Sequence, residues 1–271
     1  MNPFKALTIA GSDTSGGAGL AADLKTFQEH GVYGMTVITC IVAENPSAEW
    51  RHDVFPISLD EVSAQLDTVL TGIGVNAAKT GMLATHELIA MVADAAKRYN
   101  IPNLVVDPVM ACKGASAPLN PEVANALRDE LMPLSTIITP NLFEAGIMSG
   151  IGEIKDEAGM EEAARRLCAG GARNVLVKGG KMAGAEKAVD FFCDGKSVTR
   201  LESDFFPGAW THGAGCTISA AITANLASGK PIADAVGAAK LFTSAAIKES
   251  FRLNKWVGPL RHDAWRREHL Q

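Results

Sequence analysis

No CxxC pair occurs in the chain, and its five cysteines, at positions 40, 112, 168, 193 and 216, match no zinc spacing. An odd, scattered set of thiols excludes a disulfide framework and fits a reduced, cytoplasmic protein. Long apolar runs are missing as well. The N-terminal run breaks at Asp13, short of a signal-peptide core, and no stretch of about 18 apolar residues follows, so neither export nor membrane insertion is expected. Positive charge is scarce: 25 Lys and Arg stand against 30 Asp and Glu, and the densest basic stretch, Arg261 to Arg267, lies at the terminus. Without a basic stripe, nucleic acid is not an expected partner. Repeats, linkers and low-complexity segments are lacking too, so residues 1–271 read as one domain.

What the chain does have is apolar material, 47% of its residues, enough for a sizeable core. Short β-rich runs alternate with helical patterns: Lys5 to Ala10, Ala18 to His30, Met35 to Ala43, Ser58 to Leu70, Val75 to Thr80. This order predicts βαβ units around a mostly parallel sheet. Ser58 and Glu61 are spaced as a capping box, and Asn120 before Pro121 reads as an N-cap and first helical residue. Further strands are expected over Asn103 to Asp107, Thr136 to Thr139 and Asn174 to Lys178, each apolar on both faces as a doubly covered sheet requires. Lys187 to Cys193 and Ser197 to Glu202 flank Asp194-Gly195 as an antiparallel hairpin, with two helices after it.

Two glycine-rich segments carry the chemistry. The first strand runs into Gly11-Ser-Asp-Thr-Ser-Gly-Gly-Ala-Gly19, read as a loop opening the first helix. Gly11 and Gly16 have P-loop spacing, but Gly17-Ala18 stands where Lys-Ser/Thr should grip phosphate, which excludes that motif. Gly17, Gly19 and Ala22 with Glu44 satisfy a dinucleotide fingerprint, yet a polar segment separates them from the strand, which argues against an NAD(P)-dependent oxidoreductase. A plain packing turn explains the glycines but not Ser12, Asp13 and Ser15 gathered at a strand's C-terminal end, where open α/β sheets bind ligands. The second segment, Trp210-Thr-His-Gly-Ala-Gly-Cys216-Thr, opens an apolar small-residue helix, so Gly213, Ala214 and Gly215 aim free N–H groups at an anion. Cys216 falls in the first turn, where the helix dipole is expected to lower its pKa; a buried structural thiol is the alternative. His212 is given no role, since neighbours in a turn point in different directions.

The motifs ALTIAGSDTSGGAGLAADLKTF, KTGML, VVDPVM, TPNLFEA, VLVKGG and THGAGCT occur in the order of the vitamin-kinase branch of the ribokinase superfamily, which the chain resembles over essentially its whole length. Within that branch it is similar to hydroxymethylpyrimidine/phosphomethylpyrimidine kinases and to Gram-positive pyridoxal kinases. Val42-Ala-Glu-Asn-Pro46 to Trp50, Ala111-Cys-Lys-Gly-Ala115 and Asn254-Lys-Trp-Val-Gly-Pro259 look more like the second group. The resemblance implies a three-layer αβα sandwich, a homodimer, ATP and Mg²⁺ as cofactors, and phosphorylation of a hydroxymethyl group on pyridoxal, pyridoxine or pyridoxamine, with hydroxymethylpyrimidine as the alternative acceptor. Most of the superfamily carries an Asp base at the end of the GAG loop; Cys216 stands here, as is normal in the vitamin branch.

The same resemblance implies roles residue by residue. The amides of Gly213, Ala214, Gly215 and Cys216 would stabilise the transferring phosphoryl group, and the Cys216 thiolate would accept or orient the substrate hydroxyl proton. Asn141 and Glu144 would help hold magnesium and phosphates, with Asp107 a more distant metal contributor; a strand-end cap for Asp107 and a solvated helix residue for Glu144 are the alternatives. Lys178, ending an apolar strand, is costly to bury without an anion, which suggests a nucleotide contact. Asp190 resembles a nucleotide-side position, though a hairpin surface carboxylate is equally compatible. On the vitamin side stand Asp13, Ala18, Val42, Glu44 and Met82, the last also explicable as core filler. Cys112, with Lys113 beside it to favour the thiolate, is expected either to add to the aldehyde of bound pyridoxal or to be an ordinary loop thiol.

Overall fold

A computed structural model describes residues 2–110, 121–180 and 186–269. In chain order the elements are β1 (Lys5–Asp13), α1 (Gly19–Glu29), β2 (Tyr33–Asn45), β3 (Arg51–Pro56), α2 (Leu59–Leu70), β4 (Ala77–Thr80), α3 (His86–Arg98), β5 (Leu104–Val106) and α4 (Pro121–Ala126). They continue with β6 (Ile137–Ile138), α5 (Leu142–Ser149), α6 (Glu157–Ala169), β7 (Val175–Lys178), β8 (Lys187–Cys193), β9 (Val198–Asp204), α7 (Ala214–Ala227), α8 (Ile232–Lys248) and α9 (Ala264–His269).

The strands form one nine-stranded sheet in the order β3-β2-β1-β4-β5-β6-β7-β8-β9. All pairings from β2 to β7 are parallel, while β3 at one edge and β8 and β9 at the other run antiparallel. The central strands are apolar on both faces because both faces are covered. Leu7, Ile9, Leu104, Val106, Val175 and Val177 pack towards α2, α3, α5 and α6. The alternate residues Ala6, Ala77, Val105 and Leu176 pack towards α1, α7 and α8. These two cores make the three-layer αβα arrangement that was expected. Helix α7 is buried on every side, and its Ala, Ser and Thr side chains let it lie close to the sheet.

The reading of local signals holds at Ser58, which caps α2 through the reciprocal box with Glu61, and at the β8–β9 hairpin. Asn120 lies outside the described residues; Pro121 opens α4. Three expectations need correction. The first strand does not stop at Ala10 but continues through a bulge to Asp13, pairing Asp13 with Val42 on β2. Strand β3, unforeseen in a polar RHDVFP stretch, folds back on β2. A third helical segment, α9, follows α8. Among the described residues, no helix is long and apolar enough to cross a membrane.

Candidate active site

The parallel strands deliver Asp13, Asp107 and Lys178 to the same sheet edge, their C-terminal one. There the two glycine-rich segments meet. Gly213, the N-cap of α7, has φ 84°, and a Cβ on it would collide with the Gly17 carbonyl, so only glycine allows the two loops to touch. A cavity of about 370 Å³ opens between them, lined by Asp13, Ala18, Val42, Met82, Lys79, Asp107, Asn141, Glu144, Lys178 and the turn from His212 to Cys216. A second cavity of about 760 Å³ shares Asn141, Lys178, Ala214 and Gly215 with it and extends to Asp190, Lys240 and Thr243. The first turn of α7 therefore stands at the junction of two adjoining cavities. Of the N–H groups expected to be free, that of Ala214 is taken up by the Thr211 carbonyl at 3.1 Å.

One corner of the smaller cavity is a hydrogen-bonded cluster. His212 Nε2 lies 2.7 Å from Asp13 Oδ2 and 3.4 Å from Ser15 Oγ. One oxygen of Glu44 lies within 4.8 Å of the Asp13 and His212 atoms, while its Oε1 is buried without a hydrogen-bond partner among the described residues. Burial, then the hydrogen bond to Asp13 and its charge, push the Glu44 carboxyl up to about 7. Burial works the same way on Asp13, but hydrogen bonds from His212, Glu44 and Ser15 outweigh it and hold Asp13 well below the usual carboxylate range. Of the two carboxyls, Glu44 is therefore the one that takes up a proton first, while Asp13 stays ionised. His212, set aside on the sequence, belongs to the site because the bulged extension of β1 carries Asp13 to it.

The opposite corner is built from fixed charges. Asp107, buried beyond β5, accepts from Lys178 Nζ at 2.7 Å and from Thr139 and Ser219 hydroxyls at 3.2 Å each. Glu144 is not a solvated helix residue: it is 4% exposed and closes a capping box, accepting from the Asn141 N–H at 2.8 Å while the Asn141 side chain accepts from its own N–H. Burial drives its carboxyl up to about 7; Lys178 opposes this and Asp107 adds to it. Asp190 is likewise no surface carboxylate, being paired with Lys240 at 2.7 Å and accepting from the Gly179 N–H at 3.0 Å.

Cys216 sits between the corners, and its Sγ accepts from the N–H of Gly19 at 3.4 Å. The expected lowering of its pKa by the helix dipole is overturned. Burial pushes the thiol up to about 12, with Asp23 and Asp107 adding to the rise and Lys79 and the Gly19 N–H opposing it. Lys79 and Asp23 escaped the sequence reading, although a lysine inside the apolar strand of KTGML carries the same signal as Lys178. Met82 lines the cavity and also receives a contact from Cys40 Sγ at 3.6 Å, so it serves both packing and the site. Cys112 and Lys113 lie outside the described residues.

Residues 13–261 match the phosphomethylpyrimidine kinase family. The chain is 55% identical to the pyridoxine kinase of Bacillus subtilis (strain 168), covering 98% of each protein. It is 46% identical to the hydroxymethylpyrimidine/phosphomethylpyrimidine kinase of Rhizobium meliloti (strain 1021), over 95% of this chain and 96% of that one. Among solved structures it resembles the pyridoxal kinase from Staphylococcus aureus in complex with AMP-PCP and pyridoxal, with TM-score 0.93, 44% identity, and coverage of 98% of this chain and 96% of that one.

Proposed function

The chain belongs to the phosphomethylpyrimidine kinase family, and from that premise we propose that it transfers the γ-phosphoryl group of ATP to the hydroxymethyl group of pyridoxal-type B6 vitamins, with residual activity on hydroxymethylpyrimidine. The observation that carries this reading is the first turn of α7, whose Ala214 and Gly215 line both cavities and whose Cys216 lines the smaller one. A vitamin in the smaller cavity and ATP in the larger would bring hydroxyl and γ-phosphate together there.

Phosphoryl transfer asks the protein mainly for positioning and charge neutralisation. The N–H groups of Gly213, Gly215 and Cys216 would take up charge developing on the phosphoryl oxygens, and each such oriented donor is worth on the order of 3 kcal/mol in a transition state. Cys216 would accept the hydroxyl proton. Lys178 would turn from Asp107 to the nucleotide phosphates, and Asp190 would fix the wall of the nucleotide cavity through Lys240. The hard oxygens of Asp107 and Glu144, with Asn141 beside them, fit Mg²⁺, which commonly uses one or two carboxylates together with substrate phosphates. When bound, that ion supplies neutralisation of phosphate charge. Asp13, Glu44 and His212 would hold the polar edge of the vitamin ring against Ala18, Val42 and Met82, and Cys112 would add to the pyridoxal aldehyde.

We read residues 1–271 as one kinase domain. Homodimer formation is supported by exposed Tyr33, Ile41, Val54 and Phe55 on β2 and β3, where Ile41 stands opposite Phe55. Among the described residues, Cys168, Cys193 and Cys216 form no disulfide, which suits the cytoplasm.

The test is a set of specificity constants with Mg-ATP for pyridoxal, pyridoxine and hydroxymethylpyrimidine. Pyridoxal should give the largest value; a larger one for hydroxymethylpyrimidine would assign the chain to thiamine synthesis instead. In the same assay, Cys112→Ala should lose activity on pyridoxal alone, and equal losses on all three substrates would remove the aldehyde contact.

A further inference from the structure

The segments Val42 to Trp50 and Asn254 to Pro259 are far apart in the chain, and the fold brings their ends together. The turn between β2 and β3 finishes at Trp50, whose ring stacks on that of Trp256, with centroids 5.8 Å apart and planes 19° from parallel. Lys255 Nζ lies 4.1 Å from the centroid of the Trp256 ring and covers the pair as a cation on an aromatic face.

Trp50 holds this place at a cost. Its φ is 65° and that of Glu49 is 52°, the left-handed region that bulky side chains avoid. Its Nε1–H is buried with no hydrogen-bond partner among the described residues, a second cost at the same residue. Both sides of the stack are tied down. The Trp50 N–H donates to the Asn45 carbonyl at 3.0 Å, and Asn254 Oδ1 accepts from the N–H groups of Trp256 and Val257 at 2.8 and 2.9 Å. Backbone strain persists only where the surroundings over-determine it, and it gathers at functional sites.

On each side the stack lies two residues from a contact in the wall of the smaller cavity. Two residues beyond Trp50 is His52, which stands opposite Glu44 in the β2–β3 register and lines that cavity. Two residues beyond Trp256 is Gly258, whose carbonyl accepts from the His212 N–H at 3.3 Å, and Pro259 beside it forms a bridge to His212. The rings of His52 and His212 meet edge to face, with centroids 6.2 Å apart. The indole pair and the imidazole pair therefore join the same two parts of the chain, and neither tryptophan lines the cavity itself.

We propose that the Trp50–Trp256 stack is a clasp that locks the β2–β3 hairpin to the segment after α8 and so sets the spacing of Glu44 and His52 from His212 around the vitamin ring. Trp50 and Trp256 are positioning residues. They act on the vitamin and not on the nucleotide, because other segments line the larger cavity. The proposal rests on the reading of the smaller cavity as the vitamin site.

The test separates the two substrates. Trp50→Gly deletes the ring and, because glycine accepts a φ of 65°, removes the strain with it, so thermal unfolding should stay close to that of the wild type. This variant should raise the Michaelis constant for pyridoxal about tenfold, leave that for ATP unchanged and keep saturated turnover within about threefold, the pattern of lost ground-state binding. Trp256→Ala should do the same, and the two changes together should cost no more than either alone, since each removes the same contact. Trp256→Phe, which can still stack, should recover most of the loss. The exciton signal of paired indoles in circular dichroism should be present in the wild type and absent from Trp50→Gly and Trp256→Ala. An unchanged constant for pyridoxal, a parallel rise for ATP, fully additive losses or a wild type without the exciton signal would each overturn the proposal. Equilibrium dialysis with pyridoxal alone gives the same comparison as a Kd, so a wild type that binds pyridoxal without phosphorylating it counts against the functional reading and not against the clasp.

Discussion

Among the described residues, lysines of the parallel strands form two lysine–aspartate pairs, Lys79–Asp23 at 2.8 Å and Lys178–Asp107 at 2.7 Å, and they differ in what each can do. Both lysines come from parallel strands, and both are held protonated by neighbouring carboxylates against the effect of burial. Lys79 sits one residue before the end of β4 and faces the layer of α1 and α7, where it has no solvent contact. Lys178 is the last residue of β7, and 14% of its side chain is open to the cavities. Lys178 can thus turn to an incoming phosphate, whereas Lys79 is held to Asp23 without exposure to solvent.

The deepest break in this contrast is removal of Cys216, which lines the same cavity as both lysines. Cys216→Ala is expected to lower turnover by about 10²–10⁴-fold, the range typical of a lost proton acceptor, with little change in the Michaelis constant for ATP. Steady-state kinetics check it; undiminished turnover would take Cys216 out of the chemistry.

Stability should separate the lysines next. Lys79→Met strands a fully buried carboxylate, and breaking a pair of that kind costs about 3–5 kcal/mol. Lys178→Met should cost less, because Asp107 keeps the Thr139 and Ser219 hydroxyls. Urea unfolding of the two variants measures the difference, and an equal loss would erase the distinction between them. Ligand affinity should show the reverse order: Lys178→Ala is expected to raise the Michaelis constant for ATP about tenfold, the loss of roughly 1.4 kcal/mol of binding.

The smallest effect belongs to Glu144, whose carboxyl is raised to about 7. The folded protein then keeps a proton that the unfolded chain has released, so this group's contribution falls as pH rises from about 4.5 to about 7 and is level above that. Glu144→Gln, which can still accept from the Asn141 N–H, should flatten that slope in thermal melts and raise the magnesium needed for half-maximal rate. An unchanged magnesium requirement would leave Glu144 as a helix cap alone.

The capping box at Ser58 and Glu61 was legible because both partners are local in the chain. So was the β8–β9 hairpin, whose turn residues announce it. Strand β3 was not, since its charges and its terminal Pro56 oppose strand formation, and only pairing with β2 makes it one. The same limit hid His212. Its partner Asp13 is 199 residues away, brought close by a bulge that no local pattern specifies.

Binary pattern and glycine placement by themselves determined the layered sheet and the glycine-rich segments that open its helices, because each depends on neighbours within a few residues, while phosphoryl-transfer chemistry followed from the resemblance of the ordered motifs to a kinase family. The tertiary structure alone decided the charge states. A helix N-terminus considered in isolation lowers a thiol's pKa, but in the folded chain burial and the carboxylates of Asp23 and Asp107 raise that of Cys216. Ionisation depends on desolvation and on charges brought together from distant segments, and those distances exist only once the sheet has assembled.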